Sequence, residues 1–285
     1  MRGMNDHELE LTIRRILVAL DASLHSMAAL EAASELADAM KAELVGIFVE
    51  DVNLLRMAGL PFAREFRYLS GADRPLDSAS MERELRIQAE QARQTLAGVA
   101  GRRQLRWSFR VVRGQVASEL LTAAQEADLL VLGRASWTLT RRVRLGTTAR
   151  AVAAQAPRPV LLLQHGQAIC QPVQLVYDGS SAARRALATA AQLAALTGSP
   201  LTVMLVTDAP ESGQRLHEEV NARLQAQQVK GHSRQLVKPS AEELAQALHT
   251  AGGGTLIISA DNPLLEGEGL PTLLDAMDCS VVLVR

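Results

Sequence analysis

Apolar positions in this chain form short unbroken runs, separated by stretches whose apolar residues recur at helical spacing. "RRILVAL" (Arg14–Leu20) and "ELVGIFV" (Glu43–Val49) read as buried strands, and between them Leu30, Ala33, Ala37 and Met40 mark one face of a helix. A long helix carries Leu85, Ala89, Ala92, Leu96 and Val99. "LRWSFRVV" (Leu105–Val112) is a third strand, with Leu105, Trp107 and Phe109 on one face and Trp107 read as core. "VASELLTAAQEA" is a helix, "DLLVL" a fourth strand, "TTARAVAAQA" a helix stopped by Pro157, and "PVLLL" a fifth strand. Strands without alternation, each followed by a helix, specify a parallel sheet covered on both faces. Right-handed crossovers make it a doubly wound α/β sheet of five strands, with expected order 3-2-1-4-5.

The pattern then repeats. "ILVALDASLHSMAALEAASELADAMKAELVGIFVED" (Ile16–Asp51) lies without a gap over "VQLVYDGSSAARRALATAAQLAALTGSPLTVMLVTD" (Val173–Asp208). Asp21 falls on Asp178, Ser23 on Ser180, Leu30 on Leu187 and Leu44 on Leu201. The later parts match more loosely: "ASELLTAAQEADLLVLG" resembles "AEELAQALHTAGGGTLIIS", and "APRPVLLL" resembles "MDCSVVLV". Gly and Pro break the junction "QHGQAICQP". Two domains of one type are expected, 1–165 and 172–285, joined by a linker at 166–171. The copies differ at one place. After the second strand the first has "VNLLRMAGLPFAREFRYLSGADRPLDS" (52–78) where the second has only "APESG". With Met57, Phe62, Phe66 and Tyr68, this insert is a surface loop packed on its own domain, a lid over a ligand, or a contact with the other domain.

Bulk properties narrow the class. The 285 residues are 48% hydrophobic and 21% charged, which suits globular domains with sizeable cores. A formal net charge of −1 provides no global field toward nucleic acid or membrane. No apolar run is long enough to span a bilayer, and "MRGMNDHELELTIRR" is too polar for a signal peptide, so the cytoplasm is the expected location. Cys170 and Cys279 form no disulfide framework or metal knuckle, and Cys279 is expected to be buried. The six histidines are scattered. His25 lies near the presumed crevice but reads as a surface residue at a helix start, and no Ser-His-Asp set can be assembled.

In an open parallel sheet, ligands bind beyond the carboxyl ends of the strands where strand order reverses. Here that point lies between strands one and four, so Asp21 should face "LGRASWTLTRRVRLGTTARA" (Leu132–Ala151) across one crevice, with Val49 beside it. Gly133 would let a ligand approach the backbone closely. Gly146 precedes a helix start whose amides, at Thr147 and Thr148, favour an anion. A carboxylate at Asp21 can accept from ribose hydroxyls or an exocyclic amine. The bland alternatives are that Gly146-Thr147 only cap their helix, that Asp21 caps the first, and that Arg141, Arg142 and Arg144 belong to a solvated loop. Trp137, in the same loop, would shield a ligand or touch the other domain.

These residues resemble the universal stress protein family, whose ATP-binding members carry G-x2-G-x9-G-[S/T]. The chain reads Gly133-Arg-Ala-Ser136, nine residues, then Gly146-Thr147, keeping the spacing with Ser136 in place of the second Gly. The resemblance covers both copies. It implies that Asp21 meets the adenine or ribose end, Val49 packs on adenine, and Leu132 and Gly133 supply close backbone contacts. Gly146, Thr147 and Thr148 would hold phosphates of ATP or another adenine nucleotide, with Mg. Ser136 adds a Cβ, costly at a positive φ, but also a hydroxyl. In the second copy Ser259 stands at Gly133, Gly267 under Gly146 and Glu268 in place of Thr147. Its loop is seven residues long against twelve, and Glu266 and Glu268 oppose an anion. The reading is therefore a stress-response regulatory protein, not an enzyme, that binds nucleotide through its first copy. Its alternatives are a nucleotide-free protein-interaction module and a slow ATPase. No nucleic-acid or membrane partner is expected; a protein partner is expected but not identifiable. "PVLLLQ" and "SVVLVR" could pair as an intramolecular pseudo-dimer, with or without further homodimerisation.

Overall fold

The computed structural model describes residues 13–21, 23–62, 64–67, 72–75, 77–133, 135–136, 144–163, 171–277 and 279–285. The first half contains β1 (Arg15–Ala19), α1 (Leu24–Met40), β2 (Glu43–Asp51), α2 (Val52–Ala58), β3 (Arg64–Arg67), β4 (Ala72–Pro75), α3 (Ser78–Arg102) and β5 (Trp107–Gly114). It continues with α4 (Val116–Ala124), β6 (Leu129–Gly133), β7 (Ala135–Ser136), β8 (Arg144–Leu145), α5 (Thr147–Gln155) and β9 (Val160–Leu163). The second half contains β10 (Val173–Tyr177), α6 (Ser181–Thr197), β11 (Leu201–Thr207), α7 (Ser212–Ala226) and β12 (Gly231–Val237). It ends with α8 (Ala241–Thr250), β13 (Thr255–Ser259), α9 (Gly269–Ala276) and β14 (Ser280–Val284).

Each half is a five-stranded parallel α/β sheet, and the two are one sheet. The strands run β12-β11-β10-β13-β14-β9-β6-β1-β2-β5, so each half has the order 3-2-1-4-5 of its main strands. At the seam β14 and β9 pair antiparallel, Val281 opposite Leu162 and Leu283 opposite Val160. The main strands on either side of the seam are so apolar that both faces must be covered: β6, β9, β13 and β14 are buried almost throughout. One core layer packs α1, α3, α6 and α7 on one face and joins Leu161 and Leu163 to Ile257 and Val282 across the seam. The other layer packs α4, α5, α8 and α9 on the opposite face and holds Cys279, which is 3% exposed. Cys170, His7, His165 and most of the expected linker lie outside the described residues.

Two expectations change. Trp107 is not core: β5 is the rim of the sheet and pairs only with β2, which leaves the indole 36% exposed. The insert is not a bare loop. It opens as α2, capped by Asp51 accepting from Asn53 N at 2.8 Å, and continues into the antiparallel β3–β4 hairpin. Leu54 and Leu55 pack on the core, whereas Met57, Leu60 and Phe62 are exposed. Tyr68 lies outside the described residues.

Candidate functional site

The carboxyl ends of β1, β2 and β6 open into a cleft of about 390 Å³ in the first half. A volume of that size suits a small organic ligand. Asp21, Val49, Leu132, Gly133, Gly146, Thr147 and Thr148 all line it. They come from four places in the chain, and the β1–β2 and β1–β6 pairings bring them together. Residues with no motif behind them complete the walls: Ser23 and His25 from the start of α1, Asp51 from the end of β2, Leu54 from the insert, Leu85 and Gln88 from α3, and Leu120 from α4. His25 is half-buried on the cleft wall rather than on open surface. Only its place two residues after the first aligned Ser signalled this.

One wall is a helix N-terminus. Gly146 is the N-cap of α5 and its carbonyl accepts from Arg150 N at 2.9 Å, so the amides of Thr147, Thr148 and Ala149 precede the first intrahelical bond. Gly146 has no side chain with which to cap this end. The helix field and these donors favour a negative group in the cleft. Opposite, Asp21 Oδ1 accepts from Ser23 N at 3.0 Å, and the α1 cap is Ser23, whose Oγ accepts from Ser26 N at 3.2 Å. Asp21 therefore does not cap the helix itself. It shapes the turn before the cap and remains exposed at the cleft.

Two further readings are refined. Gly133 lacks a side chain because of α1: a Cβ there would lie 2.9 Å from the backbone carbon and oxygen of His25. Close helix–strand packing, not ligand approach alone, requires the glycine. Ser136 sits in the extended β7–β8 ladder opposite Arg144, a conformation open to any residue, so the feared positive φ is not present. Trp137, Arg141 and Arg142 lie outside the described residues.

Two stretches of the chain, residues 12–164 and 171–258, match the Universal stress protein family. The chain belongs to that family. Its fold is similar to that of a universal stress protein from Archaeoglobus fulgidus DSM 4304, at 16% identity and a TM-score of 0.75 over 95% of this chain and 98% of that one. It is also similar to a putative universal stress protein from Pseudomonas aeruginosa UCBPP-PA14, at 14% identity and a TM-score of 0.61 over 96% and 94%. No curated protein matches the chain. Among the described residues no helix is long and apolar enough to cross a membrane, and no group of three or more His, Cys, Asp or Glu could hold a metal ion.

The second universal stress protein half closes the same place with its own chain. Asp178 Oδ1 accepts from Ser180 N at 2.9 Å, as in the first half, but its Oδ2 accepts from Asn262 Nδ2 at 3.1 Å. Asn262 is 2% exposed, and its Oδ1 accepts from Leu264 N. The helix start is shut as well. Gly269 N donates to Glu266 O at 2.9 Å, and a Cβ on Gly269 would lie 2.0 Å from Leu264 O. The cap of α9 is Glu268, one residue after the Gly267 that the strand register sets under Gly146. The loop before α9 is too short to leave that end open.

The second half carries its charged groups elsewhere. Tyr177 OH donates to Glu219 Oε1 at 2.6 Å, and Arg184 Nε donates to the same oxygen at 2.6 Å. Burial raises Glu219, but the hydrogen bonds from Arg184 and Tyr177 and the guanidinium charge outweigh it and hold the carboxyl below its usual range. Burial first, then the bond to Glu219, pushes the Tyr177 phenol above its usual range.

Proposed function

We propose that the cleft of the first half binds an adenine nucleotide, ATP foremost, and that the protein is a stress-response regulator acting through this ligand rather than an enzyme. In this reading the chain is two universal stress protein domains, 1–165 and 172–285, with a linker at 166–171. Only the first takes a nucleotide. Thr147 and Thr148 amides and the Thr147 hydroxyl meet the phosphates at the α5 N-terminus, Gly146 admits them, and Ser136 closes the loop side. Asp21 meets the ribose or adenine amine, and Val49 packs on the base beside Leu132 and Gly133. Mg would arrive with the phosphates.

The observation that supports this most is the contrast between halves. The first turns the start of the nine-residue α5, whose cap Gly146 has no side chain, and a carboxylate toward one cleft, whereas the second fills the equivalent space with Asn262 and its own loop. Isothermal titration of the full chain with MgATP tests it. Saturable binding, weakened at least fivefold by Thr147→Ala and by Asp21→Ala, is the expected result. No heat, no nucleotide retained on purification and a Thr147→Ala protein indistinguishable from wild type would remove the reading. Release of phosphate by the wild type that Asp21→Ala abolishes would replace the regulator with a slow ATPase.

A further inference from the structure

A second compartment opens beside the cleft, between α1 and α3, with a volume of about 300 Å³. It is lined by Leu20, Ser26, Met27, Leu30, Gln91, Ala92 and Thr95, and shares Leu20 and Ser26 with the main cleft. The internal repeat supplies its control. Leu20 and Met27 fall on Tyr177 and Arg184 in the gapless alignment of the copies. Trp107 pairs with Leu44 as Gly231 pairs with Leu201, which sets α3 over α7. The buried faces Ala89, Ala92, Leu96, Ala100 and Gly213, Leu216, Val220, Leu224 then coincide, and Thr95 falls on Glu219. The space that is open in the first half is therefore filled in the second by the phenol of Tyr177, hydrogen-bonded to Glu219, with Arg184 closing the pair.

We infer that the α1–α3 compartment is a binding site for a small uncharged aromatic molecule bearing an O–H or N–H donor, of the phenol or indole class. Among the described residues no charged one lines it, and a charged group brought there would lose hydration without a partner. Its floor is apolar: Leu20, Leu30 and Ala92 are each at most 5% exposed. Its hydroxyls have already donated. Ser26 Oγ gives its hydrogen to Ser23 O at 3.0 Å and Thr95 Oγ1 to Gln91 O at 2.8 Å, which leaves acceptor lone pairs for a donor on the ligand. The phenol that the chain itself places in the equivalent space, donating to the Glu219 that stands at Thr95's position, has the shape and polarity this site accepts. The site does not depend on nucleotide binding.

The test is a saturation-transfer NMR titration of the full chain with 4-methylphenol, and with 4-methylanisole as the probe lacking the donor. Saturable binding of the phenol, at least fivefold tighter than the anisole, is expected. Met27→Arg with Thr95→Glu, which rebuilds the second half's ion pair, should weaken it at least tenfold while circular dichroism stays that of wild type. Should that variant not fold, Thr95→Val serves in its place and should erase the preference for phenol over anisole. No saturable binding, equal binding of both probes, or wild-type binding by either folded variant overturns the site.

Discussion

Asn262 stands in the second half as the partner that Asp178 needs: its amide donates to Asp178 Oδ2 at 3.1 Å while its own carbonyl oxygen accepts from Leu264 N at 3.0 Å. At 2% exposure this amide joins the end of β10 to the loop after β13. Asn262→Ala leaves a buried N–H and a carboxylate oxygen without partners and should cost about 1–3 kcal/mol in urea unfolding. Asn262→Asp sets a second carboxylate against Asp178. It should cost more than Asn262→Ala at pH 7, because two like charges then meet at this place. Either variant equal to wild type would show that the amide does not close this half.

Gly133 and Asp21 separate packing from binding. A Cβ at residue 133 meets the His25 backbone at 2.9 Å, and backbone gives way less readily than a side-chain tip. Gly133→Ala should cost about 1–3 kcal/mol by forcing α1 away from β6. Asp21 is exposed and makes one local bond, to Ser23 N, so Asp21→Ala should cost under about 1 kcal/mol in stability. Chemical denaturation of the two variants checks the order, and the reverse order would mean that Gly133 tolerates the methyl group.

The Tyr177–Glu219–Arg184 cluster sets a pH dependence with two ends. Tyr177 has its proton affinity raised in the folded chain. Its contribution is fully present below the unfolded value of about 10 and is lost as pH climbs beyond it. Glu219 is lowered, so its contribution is present above about pH 4.5 and is lost as pH falls through its folded value. Tyr177→Phe should cost about 1.5–3 kcal/mol at pH 7 by removing one hydrogen bond to a carboxylate. It should also flatten the alkaline limb of stability between pH 9.5 and 11 in urea melts, and reduce the acid limb without removing it, because Arg184 still donates to Glu219. An alkaline limb unchanged by the substitution would assign it to other groups.

What the sequence made legible was whatever depends on period and spacing. Unbroken apolar runs such as Leu129–Leu132 imply buried strands, and the coincidence of Asp21 with Asp178 discloses the repeat. Strand order then places Asp21 across from Gly146 with no coordinates at all. What escaped depends on neighbours distant in sequence. Trp107 is apolar in a strand-like run, and only the position of β5 at the rim exposes it. Gly133 looked like a ligand requirement because the backbone of His25 beneath it is invisible in one dimension. Gln88 enters the cleft from a helix whose pattern reports only its buried face. The difference between an open α5 and a closed α9 rests on a loop five residues shorter, but its consequence, the Gly269–Glu266 bond, needs the folded chain.

The seam should make the two halves fold as one. β9 and β14 pair directly, and Leu161 and Leu162 are at most 1% exposed between them. Arg285 Nη2 reaches across to donate to Ala153 O near the end of α5 at 2.8 Å, and Arg185 Nε donates back to Arg285 O. Leu161 belongs to the same apolar layer as Val282 and Ile257 of the second half, so Leu161→Ala opens a cavity under both. Its cost should be about 2–5 kcal/mol. Because the layer is shared, the loss should not stay with the mutated half. Native-state hydrogen exchange should show amides of β10 and β13 losing protection together with those of β1 and β6. Loss confined to β1, β6 and β9, with β13 and β14 as protected as before, would mean that the continuous sheet joins two units that open independently.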